Sequence, residues 1–136
     1  MTLTLATTLR QDRLTTTVGD IDGGSAAGKL EIRSGTRPAG PDSPATGTLL
    51  ATVTLQQPSF TISGGTATLA DPDPVTAVAD GEATWFRIYD GDNTPLMDGK
   101  VGTSGADLNL ATTALTTGLS VDITGGTLTE PAGTAD

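Results

Sequence analysis

The side chains of this sequence that are able to do chemistry are mostly carboxylates. Asp71 and Asp73 stand two residues apart in Asp71-Pro72-Asp73-Pro74, and a pair of carboxyl groups is what glycoside hydrolysis sets across a scissile bond. The same four residues read equally as a rigid surface connector, because each proline fixes its own φ. An acid catalyst would also need an apolar pocket to raise its pKa, and a chain with 3% aromatic residues is poorly supplied to build one. Asp90-Gly91-Asp92-Asn93 has the oxygen-rich composition of a calcium loop, since hard cations take several carboxylate and carbonyl oxygens. It lacks the further acidic ligands and the distal Glu of the EF-hand pattern, so a plain hairpin turn is the simpler reading. Trp85 and Tyr89 lie four apart on one expected strand face, where two rings either stack on a sugar or pack into a core. Gly23-Gly24-Ser25 and Gly102-Thr103-Ser104-Gly105 offer backbone amides to an anion, yet neither ends in the Lys-Ser/Thr of a phosphate-binding loop. They read as loops.

Histidine and cysteine are both absent. That removes the commonest general base, the thiol nucleophile, the disulfide framework and the usual zinc ligands together. Ser104 is left with no histidine to activate it. We therefore expect no enzyme activity and assign no catalytic, cofactor-binding or metal-binding residue. Sixteen acidic against seven basic residues give a formal charge of −9 and no Lys/Arg cluster, so a phosphate backbone would repel the chain. No stretch approaches the length of an apolar membrane span, and the first residues do not have the order of a signal peptide. The expectation is a soluble chain made in the cytoplasm, with no nucleic-acid or membrane partner.

These side chains have to be positioned by short strands. The chain holds 27 Thr, 18 Gly and 8 Pro, which favour strands and tight turns. Only residues 1–27 read differently: an extended segment with Leu3 and Leu5, then a helix from about Leu9 to Val18. Leu9, Leu14, Val18 and Ile21 recur there at roughly helical spacing. Thr8 with Gln11 fits a capping box, and Gly19 or Gly23-Gly24 can end the helix. From Gly28 the period becomes two. Leu30 and Ile32 mark one strand, and Leu49, Ala51, Val53 and Leu55 a second, with Ser34–Gly47 between them as a loop long enough to form an arm. Phe60 and Ile62 lead through Gly64-Gly65 into Ala67 and Leu69 as a hairpin, and Asp80-Gly81 signals another. Ala83–Tyr89 is the expected central strand. Asp98-Gly99 reads as a bend, Gly125-Gly126 as a turn, and residues 131–136 as a frayed tail. The sum is about eight to ten short strands in residues 28–130. It indicates a mainly β, single-domain antiparallel β-sandwich or jelly-roll-like barrel with a short N-terminal helix. Its core, at 35% hydrophobic residues, is thin enough that association with copies or a partner is expected.

Four runs carry a resemblance: GKLEIRSGTRPAGPDSPATGTLLATVTL from Gly28, ATWFRIYDGDN from Ala83, MDGKVGTSGADLNL from Met97 and VDITGGTLTEPAG from Val121. Together they resemble a family of small tailed-bacteriophage and prophage virion structural proteins, over most of Gly28 to Gly133. The resemblance implies a head decoration or cement protein on the outer capsid surface that bridges subunits of the major capsid protein. It also suggests a homotrimer at local threefold positions, with the N-terminal segment or the Ser34–Gly47 loop reaching the next subunit. It carries over no site residue. A tail-tube or tail-associated structural protein, or a carbohydrate-binding β module using Trp85 and Tyr89, would share the same strands and acidic surface.

Overall fold

A computed structural model describes residues 6–63 and 66–129. Its elements are α1 (Thr7–Asp22), β1 (Lys29–Arg33), β2 (Leu49–Thr54), β3 (Phe60–Ser63), β4 (Thr66–Leu69), β5 (Val75–Thr76), β6 (Gly81–Glu82), β7 (Trp85–Tyr89), β8 (Pro95–Gly102), β9 (Leu108–Leu110), β10 (Ala114–Leu115), β11 (Ser120–Val121) and β12 (Ile123–Thr129). Eight strands form one sheet in the order β2-β1-β7-β8-β9-β12-β4-β3, and β10-β6 and β11-β5 form two short ladders. The protein is mainly β, and the large sheet curls into a half-barrel with one short helix at the N-terminus.

The helix is longer than its sequence pattern suggests. It begins after Ala6, which makes no side-chain cap, so Thr8 and Gln11 form no capping box. Leu9 is 45% exposed; the buried stripe starts one turn later at Leu14 and continues through Val18 and Ile21. That spacing of four and three keeps the three side chains on one face, and the helix lies against β3 and β4. Fully burying each such side chain contributes about 1.5–3 kcal/mol. Thr15, Thr16 and Thr17 return their hydroxyls to carbonyls four residues back, which satisfies them without a tertiary partner. Gly19 stays helical and Gly23 is the C-cap. The Asp22 carboxylate then accepts the Ser59 N–H at 3.1 and 3.2 Å, pinning the helix end to the start of β3. Helix and sheet share one hydrophobic core.

Alternation sets the core face of β1, where Leu30 and Ile32 are buried. In β2 the alternation fails at one point. Leu50 and Ala51 are both buried, because the β1·β2 register slips between Ile32 and Arg33, leaving Leu50 as an extra, bulged residue. The β3–β4 hairpin forms as expected, with Phe60 opposite Leu69 and Ser63 opposite Thr66; its Gly64-Gly65 turn lies outside the described residues, as do Leu3, Leu5 and residues 130–136.

Three turn signals do something else. Asp80-Gly81 makes no hairpin: β5 and β6 pair with β11 and β10. The Asp80 carboxylate is occupied by the Thr117 N–H at 2.7 Å and the Thr117 hydroxyl at 3.1 Å. Asp98-Gly99 lies inside the eight-residue strand β8. Gly99 faces Phe86 across the ladder, and a Cβ there would stand 2.3 Å from the ring's Cζ, so the glycine serves a close approach and not a bend. Gly125-Gly126 likewise runs within β12, where Gly126 packs against Leu108 and Leu69. One strand pair also departs from an all-antiparallel arrangement. β8 and β9 are parallel, joined by residues 103–107. Gly105 at φ 68° turns this link, Asn109 brackets the N–H and carbonyl of Ala106, and Asp107 accepts the Lys100 N–H.

Candidate functional site

β7 lies between β1 and β8 in the large sheet, as the sequence suggested. Phe86 and Ile88 point into the core, and Trp85, Arg87 and Tyr89 alternate onto the other face. That second face is not wet. Trp85 is 1% and Arg87 2% exposed, because the Ser34–Gly47 loop folds back over them. The loop is anchored at both ends and in the middle. Trp85 Nε1 donates to the Ser34 carbonyl at 3.2 Å, Arg87 Nη2 donates to the Gly40 carbonyl at 3.1 Å, and Ser34 N donates to the Thr48 carbonyl at 3.1 Å. Within the chain the Ser34–Gly47 loop is thus a cover over Trp85 and Arg87.

Under it sits a buried ion pair. Arg87 donates from Nε to Asp98 Oδ1 at 2.7 Å and from Nη2 to Oδ2 at 3.0 Å, and the two side chains are 3% and 5% exposed. This two-pronged geometry is the strong form of a charge-assisted bond, and it raises the Arg87 pKa above its usual value, against the opposing effect of burial. The Arg87 guanidinium also lies 5.4 Å from the centre of the Trp85 ring. Tyr89 titrates above its usual range because it is desolvated and hydrogen-bonded to Glu31, and Arg33 holds Glu31 at 3.0 Å. A polar ladder of Glu31, Arg87 and Asp98 therefore crosses three strands in register. Sequence reading missed it. The signal was an arginine inside an otherwise apolar strand, with an aspartate one strand on that looked like part of a bend.

Trp85 and Tyr89 share a face, but the Trp85 ring is covered, so the pair presents no stacking surface. Asp90-Gly91-Asp92-Asn93 is a turn in which the Oδ1 atoms of Asp90, Asp92 and Asn93 each accept hydrogen bonds. Asp90 Oδ1 accepts the N–H groups of Asp92 and Thr94, both at 2.9 Å, and Asp92 accepts the Ser25 hydroxyl at 2.6 Å. That hydroxyl, and then the Ser25 N–H, hold the Asp92 carboxyl below its usual value. Lys29 reaches Asn93 Oδ1. The Gly23-Gly24-Ser25 segment is hence a clasp between the helix end and this turn, with Gly24 against the Gly91 backbone. Among the described residues no group of three or more His, Cys, Asp or Glu side chains is placed to hold a metal.

Asp71 and Asp73 lie exposed on the connector between β4 and β5. Gln56 Nε2 donates to the Asp71 carbonyl and to Asp73 Oδ1, both at 3.3 Å. They border an open groove of about 440 Å³ whose opposite wall is Ser120–Ile123. A second concavity of about 330 Å³ continues it along β4 and β12, sharing Asp71, Pro72 and Ile123. No helix among the described residues is long and apolar enough to cross a membrane. Comparison with protein-family models, with curated proteins and with solved structures finds no match.

Proposed function

We propose that this chain is a structural protein of a tailed-phage virion, a head decoration or cement protein that sits on the outer capsid surface and bridges subunits of the major capsid protein as a homotrimer. The observation that carries the reading is where the polar chemistry goes. The buried Arg87–Asp98 pair fastens β7 to β8, and Arg87 fastens the Ser34–Gly47 cover to β7. Asp22, Asp80 and Asp92 each tie one segment to another, and Asp90 closes its own turn. Side chains used this way make a stiff body, and stiffness reduces the conformational entropy lost when a broad surface docks. The resemblance of the four sequence runs supplies the setting, and the charge of −9 suits a protein on the outside of a particle packed with nucleic acid.

The test uses particles of the encoding phage assembled without this protein. Added back, the purified chain is expected to co-sediment with them to saturation and to raise the temperature at which they release DNA. Failure to co-sediment, with no change in release temperature, would overturn the reading.

A further inference from the structure

The groove beside the Asp71–Pro74 connector combines two properties. Its floor is apolar. Val53 and Val121 are buried there, and Leu69, Val75 and Ile123 are only partly covered by the core they pack against. Its rim is acidic, carrying the exposed carboxylates of Asp71, Asp73 and Asp122. None of the chain's seven Lys and Arg residues is among the residues that line either half of the groove.

We infer that this groove is a docking site for an extended, basic segment of a partner protein. A strand alternates its side chains with a period of two. One set, if apolar, fills the trough over Leu69, Val75 and Ile123, while Lys or Arg at the positions between meets the acidic rim. Charge selects the occupant at this groove: the rim of Asp71, Asp73 and Asp122 attracts a segment rich in Lys or Arg, and a second copy of this chain, whose seven Lys and Arg residues form no cluster, has no such segment to offer here. Pro72 and Pro74 hold the wall rigid and leave it without N–H donors at those two positions, so side chains rather than strand addition set the recognition. The inference rests on reading the chain as a docking protein and is independent of the particle it belongs to.

The probe is a fluorescein-labelled peptide of alternating arginine and valine, with an arginine–serine peptide of the same charge as control. Both are titrated into the full chain by anisotropy, and amide shifts are mapped by NMR. The arginine–valine peptide is expected to bind at least about fivefold tighter than the control, because its apolar side chains are buried. Shifts should concentrate at Leu69, Val75 and Ile123. The variant Asp73→Asn/Asp122→Asn, which changes two exposed positions and is first checked for an unchanged urea midpoint, should bind about five- to tenfold more weakly. Equal binding of the two peptides, absence of binding, or shifts spread to Asp12, Asp20 and Asp42 on other surfaces would overturn the inference. If the groove fails this test while the protein is abundant in particles, the groove inference alone falls; if the peptide binds as described but the protein is absent from particles, the virion reading alone falls.

Discussion

Replacing Asp98 by alanine strands a charge. Arg87 stays buried and keeps the Gly40 carbonyl at 3.1 Å and the Trp85 face at 5.4 Å, but neither carries a negative charge. Glu31, its cross-strand neighbour in β1, is already held by Arg33. Breaking a buried pair by removing one partner costs about 3–5 kcal/mol, whereas replacing both partners by apolar side chains of similar size is often neutral. For a chain of 136 residues the whole stability is roughly 7–20 kcal/mol, so Asp98→Ala removes a large part of it. The melting temperature should fall by roughly 10–20 °C. Urea denaturation followed by Trp85 fluorescence measures this directly, since the ring lies beside Arg87. The pair of variants is decisive: Asp98→Ala alone is strongly destabilised, and Arg87→Met with Asp98→Leu recovers most of the loss. A single-variant cost below about 1 kcal/mol, the range of exposed ion pairs, would refute the reasoning. So would a double variant no more stable than the single one.

Three other perturbations follow from positions where backbone and charge are committed. Gly99→Ala forces the buried Phe86 ring to move from a Cβ 2.3 Å away; overpacking of this kind costs about 1–3 kcal/mol, and an unchanged urea midpoint would contradict the close approach. Gly47 has φ 76°, and a Cβ there would stand 1.8 Å from the Ser34 carbonyl oxygen. Gly47→Ala should therefore lift the cover, and brief proteinase K treatment should cut within residues 35–47 in the variant before the wild type. Asp80 and Asp92 titrate below their usual value of 3.8, Asp80 through the Thr117 N–H and then its hydroxyl, Asp92 through the Ser25 hydroxyl and then its N–H. The folded state releases these protons more readily than the unfolded one. Their contribution is complete above the unfolded value and is lost as pH falls through the folded values. Urea midpoints should thus show Asp80→Asn/Asp92→Asn less stable than wild type at pH 6, with the gap closing on acidification; a gap independent of pH would contradict this.

Much of the fold was legible because alternation is a strong signal where one face is buried. Leu30 and Ile32, and Phe60 opposite Leu69, follow it, whereas Trp85–Tyr89 is buried on both faces and was legible from its large apolar side chains. What sequence hid depends on distant partners. Asp-Gly and Gly-Gly pairs have the same composition whether they turn a chain or admit a neighbouring side chain, and Phe86 over Gly99 is separated from it by a whole strand and turn. Asp80 looked like a hairpin residue until Thr117, 37 positions away, took its carboxylate. The candidate sites fared similarly. Asp71 and Asp73 were readable as a rigid exposed connector, but the groove they border needs Ser120–Ile123 from the far end of the chain. The cover over Arg87 needs a carbonyl at Gly40, which no residue type announces.

The virion assignment is tested most directly by quantitative mass spectrometry of purified particles, counting this chain against the major coat protein. A decoration protein predicts a copy number of the same order as the coat. A count at the level of tail proteins would contradict the head assignment, and absence from the particle would contradict the virion reading altogether.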